Sequence, residues 1–229
     1  MTKSDAKKIE TQKPGEKKPT PHLQRALSLL QTGPRGMMLR FVDQFQRKRS
    51  GVPVWKLSEV APSLFVGGQH TARGWQAMQD AGITAVLNMR EAHHDDAAKG
   101  IGGLTHLHLP TRDNTPPTLE ALEEAANFIR QQLDTGGQVY VHCGVGVGRA
   151  PCAAAAYLIS NGMSAKEAVR QMRGVRPFIH LTPGQFRQLE LFEQIQRAAA
   201  STETALVTPA DADAEIEAEP QEEAQEETP

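Results

Sequence analysis

The chain has 229 residues, a formal net charge of −2 and 39% hydrophobic residues, enough apolar content for one folded domain of ordinary size with tails. The charge is segregated. Residues 1–21 carry six Lys against three acidic residues, residues 22–49 six basic residues against one acidic, and residues 198–229 ten acidic residues with no Lys or Arg, so the near-neutral middle argues against nucleic-acid binding.

In chain order, the lysine-rich start has no apolar run behind it, so no secretory signal is expected, and no stretch is long enough to span a membrane. Too few apolar residues lie at either end to offset the entropy of ordering it. The expected organisation is a basic disordered tail at 1–21, an amphipathic basic helical segment at 22–50, a folded domain at 51–197 and an acidic disordered tail at 198–229. His22 to Leu30 is a short helix candidate stopped by Gly33-Pro34. Met37, Met38, Phe41, Val42 and Phe45 then fall at helical spacing, ending in Arg47-Lys48-Arg49. Two readings stand side by side: a membrane-surface or partner-binding helix over 37–49, or a helix laid on the folded domain with its basic residues in water.

Leu64-Phe65-Val66 is a predicted strand, Arg73 to Ala81 a helix with Trp75 and Met78 inward, and Ile83 to Leu87 an apolar strand of the buried parallel kind. The run Asn88 to Asp96 includes His93 and His94, but consecutive residues in a loop diverge, so a solvated loop is preferred to a metal site. Leu104 to Leu109 is a further strand, whose His106 and His108 read as structural. Asp113 follows in the turn-rich Pro110 to Pro117. Thr118 to Leu133 is the strongest helix, with Leu119, Leu122, Ala126, Ile129 and Leu133 as its stripe. Ser164 to Glu167 and Thr182 to Gln185 are capping boxes, and the helix opened by the second carries Phe186, Leu189, Phe192 and Ile195 inward.

The centre of the chain is Gln138 to Ser160. Gln138 to Val141 reads as a buried strand, His142-Cys143-Gly144-Val145-Gly146-Val147-Gly148-Arg149 as a glycine-rich loop and Ala150 to Ser160 as an alanine-rich helix. Glycines let successive backbone N–H groups converge, and the helix N-terminus adds partial positive charge, which makes an anion cradle. The same features favour a thiolate at Cys143, and Arg149 supplies a planar fork for two phosphate oxygens. Both cysteines, Cys143 and Cys152, lie in this motif, so no disulfide framework is expected, and a thiolate nucleophile points to the reducing cytoplasm. Cys152 reads as a small core residue in preference to a redox partner of Cys143.

His-Cys, five residues and Arg, preceded by a strand and followed by a helix, resembles the signature of the cysteine-dependent phosphatases, and Trp55 to Gln196 resembles their dual-specificity branch. The resemblance implies a single α/β domain with a short, mostly parallel sheet and helices on both faces. It implies Cys143 as nucleophile, Arg149 with the loop amides of Gly144, Val145, Gly146, Val147 and Gly148 as phosphate ligands, Asp113 as general acid and then base, and His142 in support. Asp95 and Asp96 are the fallback acids. No metal or other cofactor is implied. The closing segment Ala168 to Phe192 also resembles the phosphatidylglycerophosphate phosphatases, but the loop at 88–96 departs from their pattern. A phosphoprotein is therefore the expected substrate, a phospholipid the alternative, and a phosphate-binding pseudophosphatase the third reading. Arg176 is left between substrate contact and a structural salt bridge. Ala150 stands where the family usually has Ser or Thr, a hydroxyl implied to help the cysteine leave in the second step.

Overall fold

A computed structural model of the chain describes residues 33–91 and 105–207. It is an α/β fold, as expected, built on one five-stranded sheet of order β1-β2-β5-β3-β4. The strands are β1 (Glu59–Ala61), β2 (Leu64–Gly68), β3 (Ala85–Arg90), β4 (Thr105–Thr111) and β5 (Val139–Cys143); the edge pair β1–β2 is antiparallel and the other pairs are parallel. The helices are α1 (Gly33–Ser50), α2 (Ala72–Asp80), α3 (Leu119–Asp134), α4 (Arg149–Ser160), α5 (Ala165–Val175) and α6 (Pro183–Val207).

The central strands are apolar along their whole length because both faces are covered. Alternate residues point to opposite sides. Leu64, Val66, Leu87, Val139, Val141 and Cys143 join the larger core with residues of α3 to α6, whereas Phe65, Val86 and Tyr140 join Trp75, Met78 and Ile83 on the other face. Helix α4 is buried at ten of its positions, from Arg149 to Ile159. Its alanines let it sit deep among its neighbours, which fixes the loop that feeds it.

Several boundaries differ from the sequence reading. Strand β5 continues through His142 and Cys143, because these pair with Gly67 and Gly68 of β2. Strand β4 runs to Thr111, which pairs with Arg90 beyond an irregularity in the ladder. Helix α6 continues to Val207, past the boundary drawn at 197, through an alanine run of high helix propensity. Ile195 faces outward at 44% exposure. Both predicted capping boxes form, at Ser164 with Glu167 and at Thr182 with Gln185. Residues 93–96, with the histidine pair and the fallback acids, and the helix candidate at 22–30 lie outside the described residues.

Helix α1 does lie on the folded domain, but by the opposite face to the one its hydrophobic residues suggest. Gly36 and Asp43 are its buried positions. Met38, Phe41 and Phe45 are 62%, 68% and 57% exposed, and Met37 and Val42 also face outward.

Candidate active site

The site forms at the carboxyl ends of the parallel strands, where such sheets place their ligands. Cys143 ends β5, and the chain turns through Gly144 to Gly148 into α4. Gly146 carries φ +74°, and a Cβ there would collide with the backbone of Gly67, so the turn demands glycine. Its N–H points at the Cys143 Sγ, 3.3 Å away. Charge on the sulfur is thus met by a backbone donor at the head of α4.

Arg149 begins α4 and is nearly buried. Its Nη1 donates to the Thr111 carbonyl at 2.8 Å, at the end of β4, and its Nη2 pairs with Asp113 Oδ1 at 2.9 Å. The Asp113 side chain is half exposed. The structure therefore brings together Cys143, Arg149 and Asp113, from β5, α4 and the loop after β4. A carboxyl beside a guanidinium fork, reachable by solvent, can exchange protons with a group bound at the cradle.

His142 is fully buried. Burial first, then the neighbouring His70, pushes its basicity well below the usual histidine range, so the ring is neutral. It packs edge-on to His70 at 5.1 Å and beside Tyr140 at 6.0 Å between ring centroids. It supports the strand end by packing, not by lending charge to the sulfur. The Tyr140 hydroxyl donates to the Gly68 carbonyl at 2.7 Å, and burial pushes its pKa up, so it stays a phenol. His108 Nε2 bonds the Arg90 carbonyl at 2.8 Å, a structural contact. Cys152 is buried in α4, and burial raises its pKa too, which keeps it a thiol.

Two residues emerge whose part the sequence did not define. Arg176 is completely buried under the loop. Its guanidinium donates to the carbonyls of Gly146 (2.9 Å), Val145 (3.2 Å) and Leu57 (2.9 Å), pairs with Asp43 of α1 at 2.9 Å and sits over the Phe178 ring. The structural salt bridge is thus the observed role. Gln185, also buried, lies against Gly148 and donates to the Thr115 carbonyl at 3.0 Å, bracing the Asp113 loop against the phosphate loop. Among the described residues no group of three or more His, Cys, Asp or Glu is placed to hold a metal ion.

Residues 64–195, more than half of the chain, match the model of the dual specificity phosphatase catalytic domain. The rat dual specificity protein phosphatase 12 is 32% identical over 138 residues, covering 59% of this chain and 40% of that protein, so the chain spans about two fifths of that relative's length. The human phosphatidylglycerophosphatase and protein-tyrosine phosphatase 1 is 33% identical over 140 residues, covering 58% of this chain and 70% of that one. Among solved structures, PTPMT1 superposes with a TM-score of 0.58 at 25% identity over 63% of this chain and 98% of that chain. Human DUSP28 gives 0.55 at 27% identity over 61% and 97%. With the glycine cradle, the thiol and the arginine fork in the places described, the chain belongs to the dual-specificity phosphatase family.

Proposed function

We propose that the protein hydrolyses phosphate monoesters through a cysteinyl-phosphate intermediate and acts on phosphoproteins, at tyrosine and at serine or threonine. The observation that carries this reading is the Asp113 carboxylate held 2.9 Å from the Arg149 fork, beside a sulfur that already accepts a loop N–H.

In the first step the Cys143 thiolate attacks phosphorus, the ester P–O bond breaks, and Asp113 gives its proton to the leaving oxygen. Arg149 and the loop amides from Gly144 onward hold the equatorial oxygens, and a phosphate that takes the Arg149 fork displaces the Asp113 carboxyl toward the leaving group. In the second step water attacks phosphorus, Asp113 accepts its proton, and the S–P bond breaks to return the thiolate and free phosphate. Gln185 and Arg176 act as positioning residues behind the two loops. The thiolate calls for a reducing compartment, and cytoplasm is the reading we retain.

The five residues between Cys143 and Arg149 include no Lys or Arg, which favours a singly phosphorylated group over a multiply charged one. A second reading, a phospholipid monoester, is favoured by the outward apolar face of α1 beside the site. Turnover of phosphotyrosyl and phosphothreonyl peptides, set against phosphatidylglycerophosphate in vesicles, separates the two. Hydrolysis of both peptides is expected. Hydrolysis of the lipid alone replaces the first reading by the second, and phosphate binding without turnover of any substrate replaces both by a pseudophosphatase.

A further inference from the structure

Helix α1 is inverted relative to an ordinary surface helix. Its inner stripe is polar: Asp43 accepts from Arg176 and from the Val54 N–H (3.3 Å), and Arg47 Nη1 donates to the Gln69 carbonyl (2.7 Å). The Gln69 N–H in turn bonds the carbonyl of Gly144, the first residue after the nucleophile, at 3.2 Å. Arg176, paired with Asp43, donates to the carbonyls of Val145 and Gly146. The helix is thus keyed to the phosphate loop at two points. Its outer stripe is apolar, with Phe41 and Phe45 stacked at 6.2 Å between centroids and flanked by Met37, Met38 and Val42.

We propose that this outer face docks on an anionic lipid bilayer. Charge selects the partner. Arg35, Lys48 and Arg49 are exposed on the helix, and its one acid, Asp43, is buried and neutralised by Arg176. Six more Lys precede it in residues 1–21. Aromatic and Met side chains on one face with basic residues around them match a helix lying in the headgroup plane, and exposed Lys48 and Arg49 supply attraction to anionic lipid. A second copy of the chain meets this face less well, because self-pairing sets two basic helices against each other, and a stable dimer needs about 800 Å² per partner. The acidic stretch at 198–229 answers the charge but has no aromatic residue and few other large apolar ones to meet Phe41 and Phe45. Docking in this way puts one helix diameter, about 10–12 Å, between the lipid and the Arg176 bridge, with the phosphate loop directly behind that bridge. The proposal stands apart from the choice between protein and lipid substrate.

The test is sedimentation of the full chain with phosphatidylcholine vesicles, with and without phosphatidylglycerol, alongside light scattering for mass. The wild type is expected to bind only the mixed vesicles and to be released by salt. Phe41→Glu with Phe45→Glu should weaken binding at least about tenfold, and Lys48→Glu with Arg49→Glu about fivefold for each charge at low salt. Both variants should keep wild-type turnover of a small soluble aryl phosphate. Undiminished binding by the Phe41, Phe45 variant overturns the proposal. So does absence of vesicle binding by the wild type, and a wild-type dimer that this variant dissociates assigns the face to a second copy.

Discussion

Arg176 and Asp43 form an ion pair of 2.9 Å with both side chains fully buried, and the same guanidinium holds the Val145 and Gly146 carbonyls of the phosphate loop. One side chain therefore serves α1, the Leu57 turn and the loop that follows Cys143. Removing one member of such a pair leaves an uncompensated buried charge. Arg176→Ala is expected to destabilise the protein by about 3–5 kcal/mol in denaturant titration. Arg176→Lys keeps the charge but cannot span four acceptors. It should raise KM for aryl phosphate more than it lowers kcat, and wild-type KM in that variant would show that the loop does not depend on this bracket.

Ala150 is wholly buried at the start of α4, directly after the arginine, and offers no hydroxyl to the departing sulfur. Breakdown of the phosphoenzyme should then lag behind its formation, giving a burst of aryl product followed by a slower steady rate. One added hydrogen bond of about 0.5–1.5 kcal/mol corresponds to a roughly two- to tenfold rate gain. Ala150→Ser should raise steady turnover by that factor and shrink the burst. Equal burst and steady rates in the wild type would sink this expectation.

His142 is neutral because burial disfavours its charged form, so its folded-state pKa lies below the unfolded 6.5. Below 6.5 the unfolded chain binds the extra proton and the folded chain resists it. The stabilisation is thus present above that pH and lost as pH falls, with a slope approaching about 1.4 kcal/mol per pH unit for one proton. Chemical unfolding across the acid range should show this slope, and His142→Gln should reduce it by about that amount. An identical slope in the variant would assign the acid sensitivity elsewhere.

Gln185 links the Asp113 loop to the phosphate loop through the Thr115 carbonyl and its contact with Gly148. Gln185→Ala should lower kcat about tenfold or more, as loss of acid positioning, with KM little changed. Restoration by Gln185→Asn is not expected, because the shorter side chain cannot reach Thr115. A selective rise in KM would place the residue in substrate binding instead.

The phosphate loop was legible because its chemistry is local. Strand, glycines, thiol and arginine lie within one short run, and the fold seats each against the others as that run implies. Asp113 stood out through its turn-rich setting and the family spacing; the structure pairs it with Arg149, and its part as acid belongs to the proposed function. The Arg176–Asp43 bracket was not, since it joins residues 133 positions apart and nothing local marks either as a partner. A signal did exist: Gly36, Arg40, Asp43, Arg47 and Ser50 recur at helical spacing, a second stripe on α1 that includes its single acid. The hydrophobic stripe beside it is what one of the two readings of 37–49 laid on the domain, although burial is decided by which face the rest of the molecule can satisfy. Ile195 failed for a related reason, since α6 outruns the core it packs on.

The most direct test of the central claim is rapid-quench mass spectrometry of the protein turning over p-nitrophenyl phosphate under reducing conditions, with Cys143→Ser and Asp113→Asn beside the wild type. The account predicts one phosphate trapped on Cys143 of the wild type and no turnover by Cys143→Ser. Asp113→Asn should be slowed about 10²–10⁴-fold on esters with poor leaving groups, and less on p-nitrophenyl phosphate. Turnover by Cys143→Ser at the wild-type rate, or a phosphate trapped on another residue, would contradict it.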